Sequence, residues 1–145
     1  MRVFAVVLLA LVHVCAQAWP TPKRAIDEWL SFELSGGRLQ GWVFSRYFNA
    51  PANYDEPGWD MVHAVRSAKA ENMQCASQSC TAKLVFVYEP TKPLKAEALF
   101  EHPTGGSEAI SVKLTKVQNE WLLEPITHAP CVAVNELKRR GIIEK

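Results

Sequence analysis

The chain of 145 residues has no glycine-rich phosphate loop, no G-x-S-x-G turn and no H-E-x-x-H helix. Their absence removes the usual signatures of nucleotide binding, serine hydrolysis and zinc proteolysis. It has no basic block apart from Lys138-Arg139-Arg140. That run closes an expected helix, where cations complement the dipole and sit in water. A nucleic-acid partner is therefore not expected, because phosphate binding depends on concentrated positive charge. No N-x-S/T sequon occurs, which favours a bacterial periplasm over a eukaryotic secretory route. Internal repeats, low-complexity tracts and linkers are also missing, and no apolar run reaches the roughly 20 residues of a membrane span.

What is present begins with MRVFAVVLLALVHVCAQAWP. A single Arg2, an apolar run from Val3 to Val14 and the ending Ala16-Gln17-Ala18 describe a secretory signal peptide over residues 1–18. Bacterial lipoproteins are cut before an acylated cysteine, which raises Cys15 as a lipidation site. The residue before it is Val14 rather than a small one, so cleavage after Ala18 is preferred. Residues 19–145 then form a single domain, and loss of Arg2 brings the formal net charge from +1 to zero. The expected product is soluble, periplasmic or secreted, with no membrane contact after cleavage.

Export governs the reading of "CASQSC". In an oxidising compartment, closely spaced cysteines form a disulfide more often than a metal site. Zinc would need two further ligands, and Cys131 and His128 do not show paired spacing. A thioredoxin-type site has two intervening residues at a helix N-terminus, whereas here there are four, followed by a strand pattern. The flanks AVRSAKAENMQ and TAKLVFVYEP read as two strands joined by a four-residue loop. Cys75–Cys80 is thus expected to staple a hairpin, with no metal and no cofactor. Cys131 is then a buried thiol, an intermolecular link, or the true partner of one of the other two.

Thr21-Pro22 caps and opens a helix, in which Ile26, Trp29, Leu30 and Leu34 form an apolar face and Gly36-Gly37 is the stop. A second helix is expected over RLQGWVFSRYFNA, then a proline- and asparagine-rich loop. From Met61 the period changes to two. Ala82, Leu84, Phe86 and Tyr88 alternate along one strand, and Leu94, Ala96, Ala98 and Phe100 along another. Pro103–Glu108 reads as a loop. Ile110, Val112 and Leu114 follow, then a turn at Gln118-Asn119-Glu120 and a last strand WLLEPI. Pro130 opens a short helix, CVAVNELKRR. This order predicts an α+β fold: N-terminal helices packed on a curved antiparallel sheet, cone-like, with a short C-terminal helix.

The opening PKRAIDEWLSFELSGG, the strand start PGWDMVHAV and the closing VKLTKVQNEWLLEPI resemble small exported members of the nuclear-transport-factor-two-like (cystatin-like cone) superfamily. Val112, Leu114, Lys116, Trp121 and Leu123 follow the V-x-L-x-K-x-x-x-x-W-x-L cadence of its last hairpin. The resemblance covers about residues 20 to 127, and the added helix after Cys131 departs from it, capping or partly filling the cone mouth. It implies isomerases, dehydratases, ligand binders or dimerising modules, so fold alone does not decide function. A homodimer is one expectation.

An acid–base enzyme of this type would use Asp60, His63 or Tyr88, with Tyr47 and His102 behind them. Asp60 reads more simply as a turn residue, His63 as an exposed strand histidine, Tyr88 as a rim or core aromatic and His128 as a residue at a helix N-terminus. Trp29 and Trp121 read as packing, Trp19 as part of a flexible N-terminus, and Trp42 and Trp59 as flanking a pocket or contact surface. No catalytic set assembles. The pocket candidates are Trp42, Tyr47, Trp59, Asp60 and Tyr88. The leading expectation is a non-enzymatic exported domain binding a small apolar ligand or a protein partner. The alternatives are an isomerase- or lyase-like enzyme in the cone cavity, and an inhibitor or immunity-type protein acting through the 75–80 loop.

Overall fold

A computed structural model describes residues 19–40, 46–55, 58–91, 99–100 and 104–144. The expected signal peptide, Trp42 and His102 lie outside them. Helix α1 spans Pro22–Leu34; Thr21 Oγ1 accepts from the Arg24 amide at its N-cap, with proline at the first turn. Gly36, at φ 74°, supplies the left-handed residue that ends it. The second helix is not formed in its described part. A 3-10 turn covers Gly37–Gln40, Arg46 is again 3-10 and Tyr47 a turn residue, and Phe48 bridges Leu123: Leu123 N–H donates to the Tyr47 carbonyl, and Asn49 N–H to the Leu123 carbonyl. Bonding to a sheet edge outweighs helical spacing there.

Six strands follow: β1 (Met61–Cys75), β2 (Ser79–Tyr88), β3 (Leu99–Phe100), β4 (Gly106–Val117), β5 (Glu120–Leu123) and β6 (Cys131–Ala133). They form a curled sheet of order β3-β1-β2-β4-β5, with β6 also pairing β1. The fold is α+β, but the sheet is mixed rather than antiparallel. β1–β2, β2–β4 and β4–β5 are antiparallel pairs, whereas β3 and β6 lie parallel to β1. β5 runs antiparallel to β1, so the crossover over residues 124–130, which reverses the chain, brings β6 in parallel to β1. Three boundaries also move. Strand β4 starts at Gly106, inside the expected Pro103–Glu108 loop, because Tyr88↔Gly106 and Val87↔Ser107 continue the β2 ladder. β5 ends before Pro125, which cannot donate to a ladder. Cys131–Ala133 is strand, and the C-terminal helix α2 is only Val134–Arg139.

The β4–β5 turn places Gln118 and Asn119 at φ 47° and 72°, the paired left-handed geometry of a two-residue hairpin that matches strand twist. Alternation sorts the side chains. Ala82, Leu84, Phe86, Val112 and Leu114 share one buried cluster with Ala25, Ile26, Trp29 and Leu30 of α1. Ala64 and Val132, pointing the other way, pack with Leu137 and Ile143 in a second cluster. Trp19 is no flexible end: it is 3% exposed, stacks on Tyr47 at 5.6 Å, and its carbonyl accepts from the Trp121 amide.

Cys75 and Cys80 are directly opposed across the β1–β2 hairpin, with Cα atoms 4.1 Å apart, and are disulfide-bonded. Cys131 is buried. Closing so short a loop contributes about 2 kcal/mol on the chain-entropy view. The double variant C75S/C80S should therefore lower the urea midpoint by that equivalent while leaving the far-ultraviolet spectrum intact. An unchanged midpoint would remove the staple from the account of stability.

Candidate functional site

The chemistry-bearing side chains converge where β2 ends, β4 begins and the 124–130 crossover passes. Phe86 lies opposite Glu108 and Tyr88 opposite Gly106, so Tyr88 and Glu108 are diagonal neighbours on one face. The Tyr88 hydroxyl donates to Glu108 Oε2 at 2.9 Å. His128 Nε2, on the crossover, sits 3.3 Å from both the Tyr88 hydroxyl and Glu108 Oε2. Its ring stacks on Phe86 at 5.5 Å and on His63 at 4.5 Å, and His63 stacks on Tyr88 at 4.7 Å. The expected exposed strand histidine is thus 1% exposed, because His63 shares the inward face with Val65, two positions on. His128 lies in the crossover, not at a helix start, since the following residues pair with β1.

Behind this stack is a buried ion pair. Arg38 Nη1 lies 3.0 Å from Glu33 Oε1, with the two side chains 3% and 1% exposed. Both reach the crossover: Arg38 donates to the His128 carbonyl at 3.0 Å, and Glu33 Oε1 accepts the Cys131 amide at 2.8 Å. The Cys131 thiol, fully buried, faces His128 Nδ1 at 3.6 Å, while Nδ1 also lies 2.9 Å from the Ala129 carbonyl. A thiol beside an imidazole is a nucleophile pattern, but this sulfur is sealed from solvent and presents nothing to a substrate.

In front of the stack is a cleft of about 370 Å³ between β4 and residues 124–128. Val112, Ile126 and Ile110 supply apolar lining, while Glu108, Lys113 and Glu124 bring charge. Glu124 Oε1 is held by the Thr115 hydroxyl at 2.7 Å and the Asn49 amide at 3.3 Å. The Tyr88 phenol holds the Glu108 carboxyl below its ordinary 4.5; burial opposes this, and the His128 imidazole adds to the lowering. Glu108 therefore stands ionised and oriented at the cleft rim, 42% exposed. Among the described residues no group of three or more His, Cys, Asp or Glu side chains could hold a metal ion.

Of the pocket candidates among the described residues, only Tyr88 belongs to this constellation. Tyr47 stacks on Trp19 and Phe32, and burial pushes its phenol up. Trp59 lies under the Arg38 guanidinium at 5.7 Å, and Asp60 is exposed just before β1. Glu108, Glu124 and the Glu33–Arg38 pair escaped the sequence reading. Glu33 carried a signal: it falls four residues after Trp29 and three after Leu30, inside the apolar stripe. Compared with protein-family models, curated proteins and solved structures, the chain matches none of them.

Two measurements check the site. Glu33→Gln removes the carboxylate facing Arg38 in a buried setting and should cost about 3–5 kcal/mol in urea unfolding; a cost below about 1 kcal/mol would deny the pair its role. Glu108 has a depressed folded pKa, so its contribution is present above the unfolded value and disappears as pH falls through the folded one. Glu108→Gln should accordingly flatten the loss of stability between about pH 5 and about pH 3. An acid limb identical to the parent's would refute the Tyr88–Glu108 contact.

Proposed function

We propose that this chain is an exported, non-enzymatic binding domain of the cone-like, nuclear-transport-factor-two-like type, which engages a polypeptide partner at its surface. Residues 19–145 form the domain, α1 covers the inner face of the sheet, and the cleft beside β4 is the recognition site. The supporting observation is the fullness of the interior. Ile26, Trp29, Leu84, Phe86, Leu114 and Leu123 are each at most 1% exposed, and His128 stacks over Phe86 where the cone would open. The centre of the core between helix and sheet is packed as in any protein interior, and the space that remains there is a surface cleft of about 410 Å³ lined by Lys23, Asp27, Leu30 and residues 68–73. Recognition then falls to the surface, where a carboxylate is held in place beside apolar groups. The acid–base alternative built on Asp60 with Tyr47 or Tyr88 draws no support from their three separate surroundings.

The discriminating experiment uses the apolar fluorophore N-phenyl-1-naphthylamine on the folded, oxidised protein. A filled interior predicts no saturable rise in emission. Saturable binding near one equivalent would restore the small-apolar-ligand reading and defeat the surface one.

A further inference from the structure

The β4 strand is paired unequally on its two edges. β2 covers one edge along the whole of Gly106–Thr115, but β5 covers the other only from Leu114 to Val117. The last rung is the Glu124 amide donating to the Lys113 carbonyl at 2.8 Å; Pro125 then carries the chain away. Strand alternation sends the N–H and C=O of Ser111, Ala109 and Ser107 to the same side as the Lys113 carbonyl. Among the described residues no strand pairs with them. Natural sheets usually protect such an edge with proline, lysine or a bulge, yet these three residues are small and exposed. The cleft opens along this edge.

We infer that the edge of β4 over Ser107–Ser111 is a strand-addition site for an extended segment of a protein partner that carries a basic residue two positions from an apolar one. The inference rests on the surface-binding reading above and gives it a mode. A strand laid here gains main-chain hydrogen bonds at Ser107, Ala109 and Ser111. Glu108 and Ile110 point to the cleft side, so the residues opposite them lie within side-chain reach. The ionised Glu108 selects lysine or arginine, and Ile110 with Val112 selects an aliphatic side chain two residues away. Charge on the cleft agrees: two carboxylates, Glu108 and Glu124, face one cation, Lys113.

The probe is the acetylated, amidated peptide Ser-Thr-Val-Thr-Lys-Thr-Val-Thr-Ser, which offers the pattern in either direction. Saturable binding by isothermal titration calorimetry is expected, with slowed hydrogen exchange at the Ala109 and Ser111 amides. Glu108→Gln should weaken it about two- to fivefold. Replacing the lysine by glutamate should abolish it, as should N-methylation of the two threonines beside the lysine. Ala109→Pro removes an edge donor that β2 does not use and should have the same effect; the N-methylated peptide makes the same test without altering the protein. Binding that survives N-methylation but falls with Glu108→Gln would overturn strand addition while leaving a surface site. Concentration-dependent self-association that Ala109→Pro abolishes would assign the edge to a second copy instead. No peptide binding at all, with the fluorophore also excluded, would sink the edge inference and leave the filled interior standing.

Discussion

The contact between Glu33 and Arg38 joins the end of α1, the 3-10 turn after it and the crossover between β5 and β6. Two desolvated charges are weak evidence of stability in themselves, since transfer from water costs each ion several kcal/mol. Their effect here is positional. Each partner directs a further hydrogen bond to the backbone: Arg38 to the His128 carbonyl and Glu33 to the Cys131 amide. Those two points bracket the segment that must turn from crossing the sheet to joining it. With both fixed, Pro130 can offer its carbonyl to the His63 amide at 2.8 Å, and Cys131–Ala133 falls into register with His63–Val65.

From this anchoring come the split of the core and the character of the site. Neighbouring residues of β6 face opposite ways: Cys131 joins the larger cluster, and Val132 joins the smaller one with Leu137 and Ile143. The crossover also drops His128 between Phe86 and His63, where a flat ring stacks well on flat rings. A chain drawn across the sheet cannot also run along β4. The same crossover that fills the mouth therefore leaves half of β4 with one paired edge.

Local signals explain which parts were legible. The capping threonine and proline of α1, the stapled hairpin and the alternation of Ile110, Val112 and Leu114 are short-range patterns, and each formed where the spacing put it. Long-range pairings were not legible. Nothing in CVA announces a parallel strand, because Pro130 and the later helical residues suggest one continuous helix, and only the contact with β1 divides them. Gly105 and Gly106 read as loop, and that hid Glu108; extending the Ile110–Leu114 parity two residues back would have placed it inward. Trp19 read as a loose end because its partners, Tyr47 and Trp121, come from segments far along the chain.

Placement within the stack separates groups that hold from groups that can receive. His63 and the Cys131 thiol look reactive as residue types, yet both are buried against the His128 ring, which stacks on His63, faces the sulfur and itself lines the cleft. Glu108 stands at the boundary of the same cluster. Its lowered pKa comes mainly from a buried phenol behind it, while the carboxylate itself looks outward. A carboxylate fixed from behind gives up little side-chain entropy when a cation arrives in front, the general advantage of preorganisation in binding. The buried aromatics and histidines thus serve recognition indirectly, as the rigid backing that keeps one charge aimed along the unpaired half of a strand.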